Sequence, residues 1–171
     1  WVARLEEGHL DALLRTTVLA ELGSYGDDET LTRARTLFDD YMEEPDRVHP
    51  DIRGVVFSLA AKRGDRSVYD TMWELQKNAA MEEERVRFLR ALTYFEDVGL
   101  LEETLRRSLT AEVRVHNTVA MVVSVASNRH GRDLAWEFVK ANWEEFDRRY
   151  GEGGFALMRL VAFTENFSTQ E

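Results

Sequence analysis

Apolar residues recur at intervals of three and four almost from end to end of this 171-residue chain. That spacing matches the turn of an α-helix and sets each apolar run on one helix face. Leu10, Leu14, Val18 and Leu22 trace a first stripe, closed by Gly23 and Gly26. Leu31, Ala34, Phe38 and Tyr41 trace a second, which stops before Pro45. A third stripe, Ile52, Val56 and Leu59, opens after Pro50 and ends at Gly64. Val68, Met72, Leu75 and Ala79 mark a fourth, and Phe88, Ala91, Leu92 and Phe95 a fifth. Pro45 and Pro50 are the only prolines, so little else interrupts the helices. Glu82, Glu83 and Glu84 open the fifth run, where negative charge suits the positive end of the helix dipole.

The second half continues the pattern with two harder segments. A short helix is expected over 98–108. The next segment, 116–127, contains "TVAMVVSVAS" and is apolar nearly all round. Its valines would suit a strand, but the chain offers no partner strand, and a lone strand leaves its backbone groups unpaired; the reading is a buried helix. The stretch "NRHGRDLAWEFVKANWEEF" (128–146) is read as one long helix. Trp136, Val139, Trp143, Phe146 and Tyr150 form its stripe, with Asp133, Glu137, Lys140, Glu144 and Asp147 opposite. A last helix is expected over about 154–164.

Connections are short and the helices come in pairs. "YGDDETLTRARTLF" (25–38) and "RGDRSVYDTMWEL" (63–75) share a Gly-Asp turn followed by a helix, and the two Gly-Asp pairs stand 38 residues apart. Later second helices begin near 100 and 132, again a spacing in the thirties. This loose period predicts an all-α fold: a single HEAT/armadillo-like superhelix of stacked antiparallel helix pairs over 1–171. The aromatic stripe of 128–146 would then hold one hairpin against the next.

The bulk properties narrow the function. Net charge is −10 and no Lys/Arg block concentrates the opposite sign, which argues against binding a polyanion. No cysteine is present, so disulfides, thiolate nucleophiles and zinc-thiolate sites are absent, and a reducing, cytoplasmic setting is expected. No apolar run approaches the roughly 20 residues of a membrane span. The opening "WVARLEEGHLDALL" has charges where a signal peptide would be apolar, and it lacks a starting methionine, as in a piece of a longer chain.

Few residues carry obvious chemistry. The histidines, His9, His49, His116 and His130, form no H-E-x-x-H pair. There is no glycine-rich phosphate loop and no G-x-S-x-G elbow. "DDETLTRARTLFDD" lacks the alternating ligands and central glycine of a calcium loop. "RGD" at 63–65 reads as a helix end at Gly64 and a cap at Asp65, and "NFS" at 166–168 as an unused glycosylation sequon. Two arginines remain. Arg159 stands alone in "FALMRLVAF", where it either snorkels to water or meets an anion. Arg114, in "EVRVHN", precedes the buried helix; Asn117 would cap that helix and leave Arg114 free.

The run "EVRVHNTVAMVVSVASNRHGRDLAWEFVKANWEEFDRRYGEGGFALMRLV" resembles the C-terminal domain of aminopeptidase N-type zinc aminopeptidases, in pattern nearest their puromycin-sensitive branch. That family shows roughly V-R-x-Q-D-T, a buried helix, then H-G-R-x-x-A-W-x-F-x-x-x-N-W. Val113, Arg114 and Thr118 agree, as do His130, Gly131, Arg132, Ala135, Trp136, Phe138, Asn142 and Trp143. "HPDIRGVVFSLAAKRGD" and "MEEERVRFLRAL" also look like it, so the similarity covers about 31–168. His116 and Asn117 depart from the family's Gln and Asp.

The resemblance implies a parent enzyme that removes N-terminal amino acids from peptides with zinc held in a catalytic domain absent here. This chain would be non-catalytic and hold no cofactor of its own. It would form the bowl that closes the active-site chamber and contact the peptide beyond the cleaved bond. Arg159 and Arg114 are the candidate substrate-binding residues, since a guanidinium fork suits a peptide carboxylate. The expected partners are the peptide and the parent's catalytic domain, with neither nucleic acid nor membrane. The alternative is a free-standing α-solenoid scaffold that binds a protein partner on its concave face. An independent small enzyme is poorest, because no nucleophile–base pair or metal set is visible. The first two differ in one respect: a lid domain carries an apolar flank that needs the rest of its parent.

Overall fold

The computed structural model describes residues 1, 2 and 8–166. Every regular element among them is helical. The chain forms two compact units, Trp1–Tyr94 and Phe95–Glu171.

The first unit holds α1 (His9–Ser24), α2 (Asp28–Glu43), α3 (Pro50–Lys62), α4 (Arg66–Asn78) and α5 (Glu82–Ala91), with a 3-10 turn at Pro45–Arg47. The expected stripes on the second, third and fifth runs are buried, and the aromatics among them meet. Phe57 stacks on Phe88 with ring centroids 4.5 Å apart, and Tyr41 sits edge-on to Phe57 at 4.8 Å. Both arrangements are favoured by the ring quadrupoles. Beside this cluster lies a polar lock absent from the sequence reading. Tyr41 Oη donates to Glu84 Oε1 at 3.1 Å, and Arg53 Nη1 donates to the same oxygen at 3.0 Å. Burial, then the Glu84 charge, pushes the Tyr41 phenol up to about 12.

The first stripe runs differently from its expectation. Leu10, Leu14, Val18 and Leu22 are exposed, Leu10 by 79% and Leu14 by 59%. The buried residues of α1 are instead Leu19 and Gly23, with Ala12 and Thr16 half-buried. At Gly23 an added Cβ would lie 2.3 Å from Leu59 Cδ2, so the close approach of α1 to α3 requires glycine. Helix α1 is apolar on two sides, and periodicity alone selected the wrong one.

The second unit holds α6 (Val98–Ser108), α7 (Val115–Ser127), α8 (Arg132–Ala141), α9 (Trp143–Tyr150) and α10 (Phe155–Ala162), with 3-10 turns at Gly151–Gly153 and Phe163–Asn166. The valine-rich segment is the helix α7, with Val119, Val122 and Val125 buried. The stretch 128–146 is not one helix. Asn142 breaks it: its Nδ2 donates to Phe138 O at 2.8 Å, while its own carbonyl accepts from Glu145 N and Phe146 N. One asparagine therefore closes α8 and opens α9. The break divides the aromatic stripe. Val139 and Phe146 are buried, Trp136 is half-buried against Phe163, and Trp143 is 40% exposed.

The Gly-Asp turns do what their sequence implies. Asp27 accepts from Thr30 N at 2.8 Å and Asp65 from Val68 N at 3.1 Å, capping α2 and α4. Asp97 repeats the bond to Leu100 N at the start of α6. Gly131, in the family-like H-G-R run, turns the chain so close to α7 that a Cβ would meet Val125 O at 2.6 Å.

Phe146→Ala removes a fully buried ring and is expected to cost about 3–5 kcal/mol. Trp143→Ala, at an exposed position of the same helix, is expected to stay within about 1 kcal/mol. Urea unfolding of the two variants checks the contrast.

Candidate functional site

The two arginines singled out by sequence both lie in the second unit. Arg114 occupies the cap position of α7 with an extended backbone (φ −64°, ψ 140°) and is exposed. Asn117 is not the cap: it lies inside the first turn, its N–H bonded to Arg114 O at 2.8 Å. Arg114 is accordingly not left free and has an interaction within the protein. Arg159 lies in the last turn of α10, a helix that packs on α7. It is exposed and makes no hydrogen bond or ion pair among the described residues.

The placement of Arg159 follows from how α10 buries itself. Leu160 and Phe163 turn inward, which leaves Phe155, Met158, Arg159 and Ala162 on the outer face. Phe155 is 73% exposed and Met158 67%. Phe155, Arg159 and Met158 are neighbours at helical spacings of three and four. The outer face of α10 is therefore an apolar strip with one cation at its edge.

Next to that strip, a recess of about 400 Å³ is lined by Arg148, Arg149, Tyr150, Glu152 and Phe155, among others. Gly154, at φ +63°, makes the turn that brings Phe155 to its edge. Tyr150 Oη donates to Val115 O at 2.6 Å, tying one wall of the recess to the residue after Arg114. Arg149 Nη2 donates to Leu109 O at 2.7 Å. Glu145 is gripped from two sides: Arg148 donates to its oxygens at 2.8 and 2.6 Å, and Arg149 Nε donates to it as well. These bonds, Arg148's first, hold the Glu145 carboxyl down at about 2. In the other direction, Glu145 raises the Arg148 guanidinium. The sequence reading missed this triad, although arginines three and four residues after a glutamate are its helical signature.

The remaining candidates are structural. His49 accepts Asp51 N at 3.3 Å and starts α3. His130 Nε2 faces Arg129 Nε at 2.9 Å. Arg63 of the "RGD" turn pairs with Asp28 at 2.6 Å. The sequon reading falls on Phe167 and Ser168, which lie outside the described residues. Among the described residues, no group of three or more His, Asp and Glu side chains is placed to hold a metal ion. The described residues do not fit a zinc site.

Glu145→Gln tests the triad through pH. The folded carboxyl is lowered, so its stabilisation is complete above the ordinary value near 4.5 and is lost as pH falls toward about 2. The stability gap between the native chain and Glu145→Gln should be constant above about pH 5.5 and should close below it. Thermal melts across that range measure it.

The ERAP1-like C-terminal domain family matches residues 1–171. Human aminopeptidase N is 28% identical over 170 residues, which cover 97% of this chain and 18% of that protein. The thyrotropin-releasing hormone-degrading ectoenzyme of Rattus norvegicus is 30% identical over 161 residues, 92% of this chain and 15% of that protein. Aminopeptidase M1 of Arabidopsis thaliana is 29% identical over 167 residues, 95% of this chain and 19% of that protein. The chain thus spans less than a fifth of the length of these relatives. With the whole chain matched and its helices laid out as described, it belongs to the ERAP1-like C-terminal domain family, the C-terminal domain of aminopeptidase N-type enzymes.

Proposed function

We propose that this chain is the non-catalytic C-terminal part of a zinc aminopeptidase, closing the chamber over the active site and contacting the peptide beyond the cleaved bond. The observation that carries the reading is Arg159: an exposed guanidinium without a partner among the described residues, set beside the apolar Phe155 and Met158 on α10. That combination suits an extended peptide, with the aromatic and thioether surfaces taking side chains and the guanidinium taking a carboxylate. Arg114 has a secondary role in the same reading, because it is already engaged within the protein. Zinc, when bound in the catalytic part of the parent chain, supplies the activated water. The residues described here bind and orient the substrate and limit its access.

A free-standing scaffold fits less well, because the whole chain matches the C-terminal domain of aminopeptidases whose length extends far beyond the matched region.

The gene that encodes this chain should encode an H-E-x-x-H helix outside residues 1–171, and its absence would refute the reading. Residues 1–171 alone should release no amino acid from an aminoacyl chromogenic substrate, with or without zinc. In the full-length protein, Arg159→Ala should lower kcat/KM for a peptide of several residues by roughly 10-fold or more. That is the loss of one charge-assisted hydrogen bond of about 1.5–3 kcal/mol. Turnover of the short chromogenic substrate should not change. Equal loss on both substrates would show that Arg159 acts on folding rather than on the peptide.

A further inference from the structure

The five methionines differ in how far solvent reaches them. Met72 and Met121 are buried inside α4 and α7, at 0% and 3% exposure. Met42 and Met81 are exposed in the first unit. Met158, on α10 of the second unit, is the most exposed of the five at 67%. It stands three residues after Phe155, and three and four residues before Val161 and Ala162. All four are exposed, so at helical spacing the thioether sits in the middle of the apolar strip rather than at its edge.

A thioether in that place has two properties. It is soft and apolar, and it offers contact surface to a side chain laid over it without a polar cost. It also carries lone pairs that an oxidant reaches from solvent. The sulfur attacks one oxygen of hydrogen peroxide; the O–O bond breaks, an S–O bond forms and water leaves. Sulfur gives up two electrons and the peroxide accepts them. The product, methionine sulfoxide, is polar and chiral. Two thiols reverse the step, removing the oxygen as water and forming a disulfide between them, as in the reaction of methionine sulfoxide reductases.

We infer that Met158 is a reversible oxidation site through which peroxide weakens peptide binding along α10. The inference rests on the reading of that strip as a peptide contact, and it names a regulation of the same surface. A side chain seated on the strip must displace water from the sulfoxide oxygen, and Phe155, Val161 and Ala162 have no side-chain donor to replace it. An unpaired polar group covered in this way lowers binding on the order of tenfold. Arg159, the next residue, is a side-chain donor beside it. A bond from that guanidinium to the sulfoxide would take it away from the peptide carboxylate, with the same direction of effect.

The full-length protein is treated with hydrogen peroxide, and each methionine is followed by mass spectrometry of its peptide. Met158 sulfoxide should form at least about tenfold faster than the sulfoxides of Met72 and Met121, as exposure dictates. Each protein is then compared with itself before treatment. Peroxide should lower kcat/KM of the native protein for a peptide of several residues by roughly 5-fold or more. It should cause no such loss in Met158→Leu. Reductases of both sulfoxide epimers, supplied with a thiol, should restore the native protein. Met158 oxidising no faster than Met72 overturns the site. An equal loss in the native protein and Met158→Leu overturns its control of binding. Rapid oxidation of Met158 without any loss also overturns that control; if Arg159→Ala still lowers turnover of the longer peptide, the peptide reading stands without the switch. If neither change affects the longer peptide, the peptide reading itself fails.

Discussion

Short helices end often, and every end leaves backbone carbonyls without an intrahelical partner. In this protein those groups are bonded by side chains that arrive from elsewhere in the same unit. Lys62 Nζ donates to Gly23 O and Ser24 O at 2.9 and 2.6 Å and so closes α1 from α3. Arg85 Nε and Nη2 donate to Gln76 O and Ala79 O, closing α4 from α5. Arg53 holds Pro45 O and Val48 O at the turn before its own helix. In the second unit Asn128 Nδ2 donates to Phe95 O at 2.8 Å, and Arg149 and Tyr150 hold Leu109 O and Val115 O. Lys62 and Arg85 each place a cation where a helix dipole is negative, and each ties one helix to another.

This constraint shapes the candidate site. Arg149 and Tyr150 are drawn to the carbonyls of the α6–α7 connection, which fixes the end of α9 and sets the start of α10 beside it. The recess is a consequence of that anchoring. Arg148 and Arg149 share the single Glu145 carboxylate, whereas Arg159, on the outer face of the next helix, makes no hydrogen bond or ion pair among the described residues.

Much of this could be read from the residues. Asp27 and Asp65 cap their helices as Gly-Asp turns predict, and the stripes led by Leu31, Ile52 and Phe88 are buried. The resemblance to the C-terminal domain of aminopeptidase N-type enzymes holds over the whole chain. Two expectations failed for related reasons. Helix α1 is apolar on both sides, and spacing cannot say which side a neighbour occupies. The 128–146 helix keeps its period through Asn142, but the asparagine amide competes for Phe138 O and ends the helix there. The Tyr41–Arg53–Glu84 lock joins residues 31 and 43 positions apart, a separation at which no local pattern signals contact.

Local physics therefore determined the helices themselves: their number to within one, most of their limits, and the caps at Asp27 and Asp65. These follow from the turn of the helix and from side chains within four residues of the groups they bond. Tertiary structure decided which apolar faces are covered and which arginines are engaged by carbonyls and carboxylates. Those outcomes depend on groups distant in the chain that meet only when helices pack, and so the open face of α1 and the free guanidinium of Arg159 became visible only in the folded protein.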